Sequence, residues 1–166
     1  MTTRLEHDLL GEREIPSTAY WGIHTLRAIE NFPITGVPIG HYRSLVRGLG
    51  FIKEASAKAN LKLGVITQEL ADPIIKASIE VRDGLWDAEF AVDAIQGGAG
   101  TSTNMNANEV IANRALEIAG FQKGEYEQIH PLNHVNEIIF TWDLFISSQF
   151  GLDFPSLELS ILRKDG

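Results

Sequence analysis

Gln96-Gly97-Gly98-Ala99-Gly100-Thr101-Ser102-Thr103-Asn104-Met105-Asn106-Ala107-Asn108-Glu109 is the stretch on which the reading of this chain turns. Its closely spaced glycines let the backbone take positive φ and approach a ligand. Hydroxyl residues follow directly, and the pattern predicts a helix from about Asn104 to Ala119, stopped at Gly120. A helix start offers unpaired N–H groups and a partial charge of about +0.5, which favours an anion such as a carboxylate. Thr101, Ser102 and Thr103 add side-chain donors there. The same pattern also fits a plain N-cap, Ser102 or Thr103, behind a flexible loop. Asn104, Asn106 and Asn108 sit early in a helix, where asparagine has poor propensity. They imply either a buried hydrogen-bonded network or a polar site.

Upstream the chain reads as mostly helical. Arg4 to Pro16, charged and broken by Gly11, predicts a small extended arm or hairpin. Ser17 or Thr18 is placed to cap a short helix over Ala19 to Asn31, ended by Phe32-Pro33. Ile34 to Gly40 reads as a loop. From His41 to Leu63, the residues Leu45, Leu49, Ile52, Ser56, Ala59 and Leu63 form one stripe at steps of three and four. Lys53, Lys58 and Lys62 fall off that stripe, on the side expected to face solvent. Another helix should start at Thr67 and bury Leu70, Ile74, Ala77, Val81 and Leu85, with Gly84 breaking the pattern. Phe121 to Asn136 reads as a polar connecting loop.

Composition narrows the function. The chain has 166 residues, 44% hydrophobic and 22% charged, which suits a globular domain with a real core. A net charge of −8 without any Lys/Arg cluster speaks against nucleic-acid binding. Having no cysteine, it has no disulfide, thiolate metal site or cysteine nucleophile. No signal peptide or membrane span is legible, so a cytoplasmic protein is expected.

Other polar residues carry plainer readings. His24 and Arg27 sit together near the short helix, and a lone histidine is more often structural than catalytic. His130 and His134 are four apart, but Pro131 between them argues against a metal pair on a helix. Glu6, Asp8, Glu12 and Glu14 alternate along the arm and read as a solvated face.

Residues 97–115, Gly97-Gly98-Ala99-Gly100-Thr101-Ser102-Thr103 through Asn113-Arg114-Ala115, resemble the first signature region of the aspartase/fumarase superfamily. Glu6-His7-Asp8-Leu9-Leu10-Gly11 and Tyr20-Trp21-Gly22-Ile23-His24-Thr25-Leu26-Arg27 resemble the opening of its aspartate ammonia-lyases. Fumarases typically place Gln-Thr where His24-Thr25 stands and Gly-Ser-Gly-Thr-Gln where Gly98 to Ser102 stands, so both differences favour an aspartase. The likeness runs to Glu137 and then fails. The family continues into Ser-Gln-Ser-Thr-Asn-Asp, whereas Phe140 and Trp142 stand here in place of Ser and Asn, with Thr141 and Asp143 coinciding.

The resemblance implies a mainly helical N-terminal domain over residues 1–137 with a short extended arm, lacking the central helical bundle, and a divergent tail over 138–166. It implies a small dicarboxylate or amino-acid substrate, L-aspartate or fumarate, and further lyase subunits of a homotetramer as partners. Thr101 would bind substrate, with Ala99, Gly100 and Ser102 shaping the loop and Thr141 a weaker candidate. The family's general base is a serine on a downstream Gly-Ser-Ser loop, which this sequence does not contain, so no catalytic residue is assigned. The expectation is a shortened lyase-type chain, inactive alone, with no cofactor or metal; an assembly partner of full-length subunits and a fumarate hydratase-like enzyme are the alternatives.

Overall fold

The computed structural model describes residues 2–98 and 100–137. Strands β1 (Thr3–Asp8) and β2 (Gly11–Pro16) pair antiparallel, with Thr3 opposite Pro16 and Asp8 opposite Gly11. The arm is therefore a hairpin, as expected. Its acids do not share one solvated face. Register puts Arg4, Glu6 and Asp8 opposite Ile15, Arg13 and Gly11, while Glu12 and Glu14 pair with His7 and Leu5 on the other side. Glu6 is only 4% exposed, and Asp8 takes the Arg27 guanidinium at 2.7 Å on each oxygen. Of the four acids, only Glu12 and Glu14 remain outside.

Helix α1 (Ile23–Asn31) begins later than Ala19, and neither Ser17 nor Thr18 caps it. Arg4 instead holds the preceding segment extended by donating to the carbonyls of Pro16, Ala19 and Trp21. The open N–H groups of α1 are met from outside. Glu109 accepts from Gly22, His24 and Thr25 at 2.9, 2.8 and 3.0 Å, and Glu6 accepts from Ile23 at 2.9 Å. Gly22 is required here, because a Cβ would stand 2.5 Å from Tyr126 Oη and 2.6 Å from Glu6 Oε2.

Helix α2 (Arg43–Lys62) carries the expected stripe, with Leu49, Ile52, Ser56 and Ala59 buried, though Leu63 lies beyond its end and is exposed. A second stripe lies buried beside the first: Val46, Gly50, Lys53, Ala57 and Asn60. Lys53 is therefore fully buried, contrary to the outward position its sequence register suggests, while Lys58 and Lys62 do face out. Helix α3 (Gln68–Asp83) follows Thr67, whose side chain makes no capping bond, and buries Ile74, Ala77 and Val81. Gly84, at φ 93°, ends it before Leu85, which is exposed rather than buried.

Helix α4 (Thr101–Ile118) packs on α3 and α1. Every residue from Asn104 to Leu116 except Arg114 is buried, so α4 is the central element. Val46, Leu49, Ile74 and Phe90 share the core with its own Ile111 and Leu116, each buried apolar side chain of this size contributing about 1.5–3 kcal/mol. Being enclosed on all sides, α4 turns its asparagines to the loops around it. Asn106 Nδ2 donates to the Glu89 carbonyl, and Asn113 joins the Tyr20 carbonyl, Tyr126 Oη and Gly124 N–H. The stretch expected as a loop over Phe121 to Asn136 contains a π-helical turn, Pro131–Val135.

Replacing Glu109 with Gln should destabilise the fold by about 3–5 kcal/mol, because α1's donors would face an amide in a buried site. Urea unfolding would show this as a lower midpoint, whereas exposed Glu127→Gln should leave it nearly unchanged. A midpoint for Glu109→Gln equal to wild type would contradict the capping role.

Burial drives the Lys53 amine from 10.5 down to about 7. The unfolded chain then binds the extra proton between these values, so this group makes stability rise with pH across that window. His24 acts in the opposite sense: its bond to Glu109 raises its folded value, and the associated stability is lost as pH climbs through it. Comparison of thermal unfolding in wild type and Lys53→Met isolates the lysine. The wild-type slope from pH 7 towards pH 10.5 should be the more positive, and parallel profiles would rule the assignment out.

Candidate active-site segment at the start of α4

The glycine segment turns sharply into α4. Gly98 and Gly100 both stand at φ 82°, the left-handed region where a side chain is strained, and Gly100 is the residue before the first helical turn. The hydroxyl residues thus lie inside the first turn rather than ahead of it. Neither Ser102 nor Thr103 is the N-cap, and the helix opens three residues before Asn104 because the glycines already supply the turn.

The first-turn donors are unequally engaged. The Thr101 N–H and hydroxyl both donate to the Gly98 carbonyl, at 3.0 and 2.7 Å. The Thr103 N–H donates to Gln96 Oε1 at 2.7 Å, while Gln96 Nε2 donates to the Asp93 carbonyl. Ser102, half-buried, has no partner for its N–H or hydroxyl among the described residues. Thr101 is exposed and Gly100 half-buried. Ala99 and Thr141, the other candidates, lie outside the described residues. Among the described residues the tip thus leaves the Ser102 amide and hydroxyl open, and frees Thr101's hydroxyl on rotation away from Gly98.

Behind the tip, Asp93 anchors the loop. It accepts from Thr35 N–H, Thr35 Oγ1, Gly36 N–H and Ile95 N–H at 2.7–2.8 Å. Burial works to raise its carboxyl, but these bonds overcome it and hold the group down at about 2. Deeper still, Asn104 Nδ2 and Lys53 Nζ both donate to Asn136 Oδ1 at 2.9 Å. No carboxylate, imidazole or amine lies between Gln96 and Asn104, so this segment offers an anion only neutral hydrogen-bonding groups.

The other candidates separate from the tip. His24 Nδ1 meets Glu109 at 3.0 Å, and Arg27 is committed to Asp8. His134 Nδ1 accepts from the His130 N–H, and His130 Nδ1 accepts from Leu132 and Asn133. Among the described residues no cluster of three or more His, Asp or Glu could hold a metal ion, and no helix is long and apolar enough to cross a membrane.

Sequence reasoning missed Gln96, Lys53, Asn136 and Glu109. Signals for two of them existed. Glu109 is the lone charge in the run from Asn104 to Ile111, and Lys53 lies seven residues before Asn60 on one helix face. Gln96 and Asn136 carried no such mark.

The profile of a family described as lyase matches residues 11–144. An aspartate ammonia-lyase of Bacillus sp is 54% identical over 142 residues, 86% of this chain and 30% of the relative. A class II fumarate hydratase of Halobacterium salinarum is 53% identical over 133 residues, 80% of this chain and 28% of the relative. Among solved structures, the fumarate lyase:delta crystallin of Brucella melitensis superposes with a TM-score of 0.87 at 50% identity, covering 89% of this chain and 32% of that one. The chain spans about 30% of the length of the curated relatives it matches. On the match over residues 11–144 and the identities to these relatives, the chain belongs to the lyase family of the aspartase/fumarase superfamily.

Proposed function

We propose that this chain is the carboxylate-binding segment of a cytoplasmic ammonia-lyase that converts L-aspartate to fumarate and ammonia. Residues 1–137 form its lyase-type unit, and 138–166 a divergent tail. The observation that carries the reading is the pair of left-handed glycines delivering Thr101 and Ser102 to the open end of α4, where Ser102 has no partner among the described residues. Removing a proton beside the substrate's β-carboxylate builds an enediolate-like dianion, and prearranged donors usually do most to stabilise such charge. Thr101 and Ser102 serve as those donors, with Gly100 and Ala99 shaping the turn and Thr141 contributing from the following segment.

The downstream serine base of the family is not among these 166 residues. Such a base alone contributes about 10²–10⁴-fold, so the polypeptide by itself binds dicarboxylates weakly and does not turn them over. Full-length lyase subunits are the partners that would complete the site. The similarity to the Halobacterium fumarate hydratase supports a second reading, in which water rather than ammonia is eliminated.

Backbone amide spectra of the 166-residue chain titrated with fumarate should show shifts concentrated at Gly100 to Thr103, with a dissociation constant on the order of 1–10 mM. Ser102→Ala and Thr101→Val should each weaken binding several-fold. Absorbance at 240 nm should show no fumarate formed from L-aspartate or from L-malate. Sustained turnover, or shifts lying elsewhere with the tip unmoved, would overturn the assignment.

A further inference from the structure

A buried polar cluster gathers at the first turn of α4, at Asn104, three residues beyond Thr101. Lys53 from α2 and Asn104 from the first turn of α4 converge on a single acceptor, Asn136 Oδ1, each at 2.9 Å. Two turns further along α2, Asn60 Nδ2 donates to the next carbonyl of the same segment, Glu137 O, at 3.1 Å. Lys53, Asn60 and Asn104 are buried almost completely, with exposures of 0%, 2% and 2%. No carboxylate pairs with Lys53 among the described residues, and Asn104 Oδ1 is buried without a partner there.

Fold stability does not explain this arrangement. A buried amine is expensive, and a methionine would fill the same volume with apolar contact. What the cluster achieves is placement. It ties the chain leaving the π-helical turn to the first turn of α4, at a residue three positions from Thr101. We infer that Lys53 is a positioning residue: through Asn136 and Asn104 it fixes the 136–137 segment against the α4 tip and so sets the geometry of the Thr101–Ser102 donors. This rests on the proposed carboxylate site for its functional meaning, but the placement can be read without ligand.

The test uses the 166-residue chain and its amide spectra. Lys53→Met should leave the fold intact while shifting the amides of Gly100 to Asn104 and the Asn136 side-chain NH2, and should weaken fumarate binding about tenfold. In an Asn136→Ala background the same substitution should have little further effect, since the two act through one contact. Asn136→Asp, which keeps acceptors for both donors, should retain the wild-type tip shifts. It also serves if Lys53→Met fails to fold, because loss of the tip shifts in Asn136→Asp would overturn the inference. So would a folded Lys53→Met with the tip amides unmoved, or losses in the two variants that simply add. If wild type binds no fumarate, the carboxylate site falls, and the ligand-free tip shifts still decide the positioning role.

Discussion

Glu109, midway along α4, is fully buried and accepts hydrogen bonds from the backbone of Gly22, His24 and Thr25 and from the His24 ring. A helix N-terminus carries partial positive charge and unmet N–H groups, and a buried carboxylate without donors would be far too costly. Each therefore makes the other tolerable. The contact joins the start of α1 to the middle of the central helix across 84–87 residues of sequence. Glu6 completes it by taking Ile23 N–H, the Arg4 guanidinium and the Tyr126 hydroxyl, which brings in the hairpin and the loop after α4.

Once α4 is fixed by that contact, its own N-terminus is left pointing at the glycine turn, and the two helix starts have opposite fates. At α1 the protein's carboxylates occupy every early donor. At α4 only Thr101 and Thr103 have their donors met, by neutral groups, the Gly98 carbonyl and the Gln96 amide oxygen, while Ser102 has no partner among the described residues. No acid among the described residues bonds to this end, and Asp93, the carboxylate of the preceding loop, spends its oxygens on Thr35, Gly36 and Ile95. A helix end capped only by neutral groups keeps its affinity for an external anion. This contrast gives physical content to the family likeness at Thr101 and Ser102.

The cost of the arrangement is a polar interior. Four asparagines of α4, together with Lys53 and Asn60 of α2, occupy positions that aliphatic residues could fill. Asn106 and Asn113 satisfy loop backbone, whereas Asn104 joins Lys53 in holding Asn136. Those bonds determine where loops and chain segments sit against α4, which packing alone would leave loosely specified.

The sequence by itself determined that the chain is mainly helical with an N-terminal hairpin, that glycines turn into a hydroxyl-rich helix start, and that the chain resembles aspartase-type lyases. These features are local, carried by periodicity, glycine backbone freedom and contiguous motif residues. Tertiary structure alone decided how charges and helix ends are matched. Ser17 and Thr18 are plausible caps by position, yet α1 is capped by Glu109 from a distant helix, and hairpin register sends Glu6 inward while Glu14 stays outside. Lys53 looks solvent-facing on a helix with one buried stripe and is buried because α2 is covered on two. Which donors of a helix start remain open depends on groups brought there by folding, and no reading along the chain can supply those contacts.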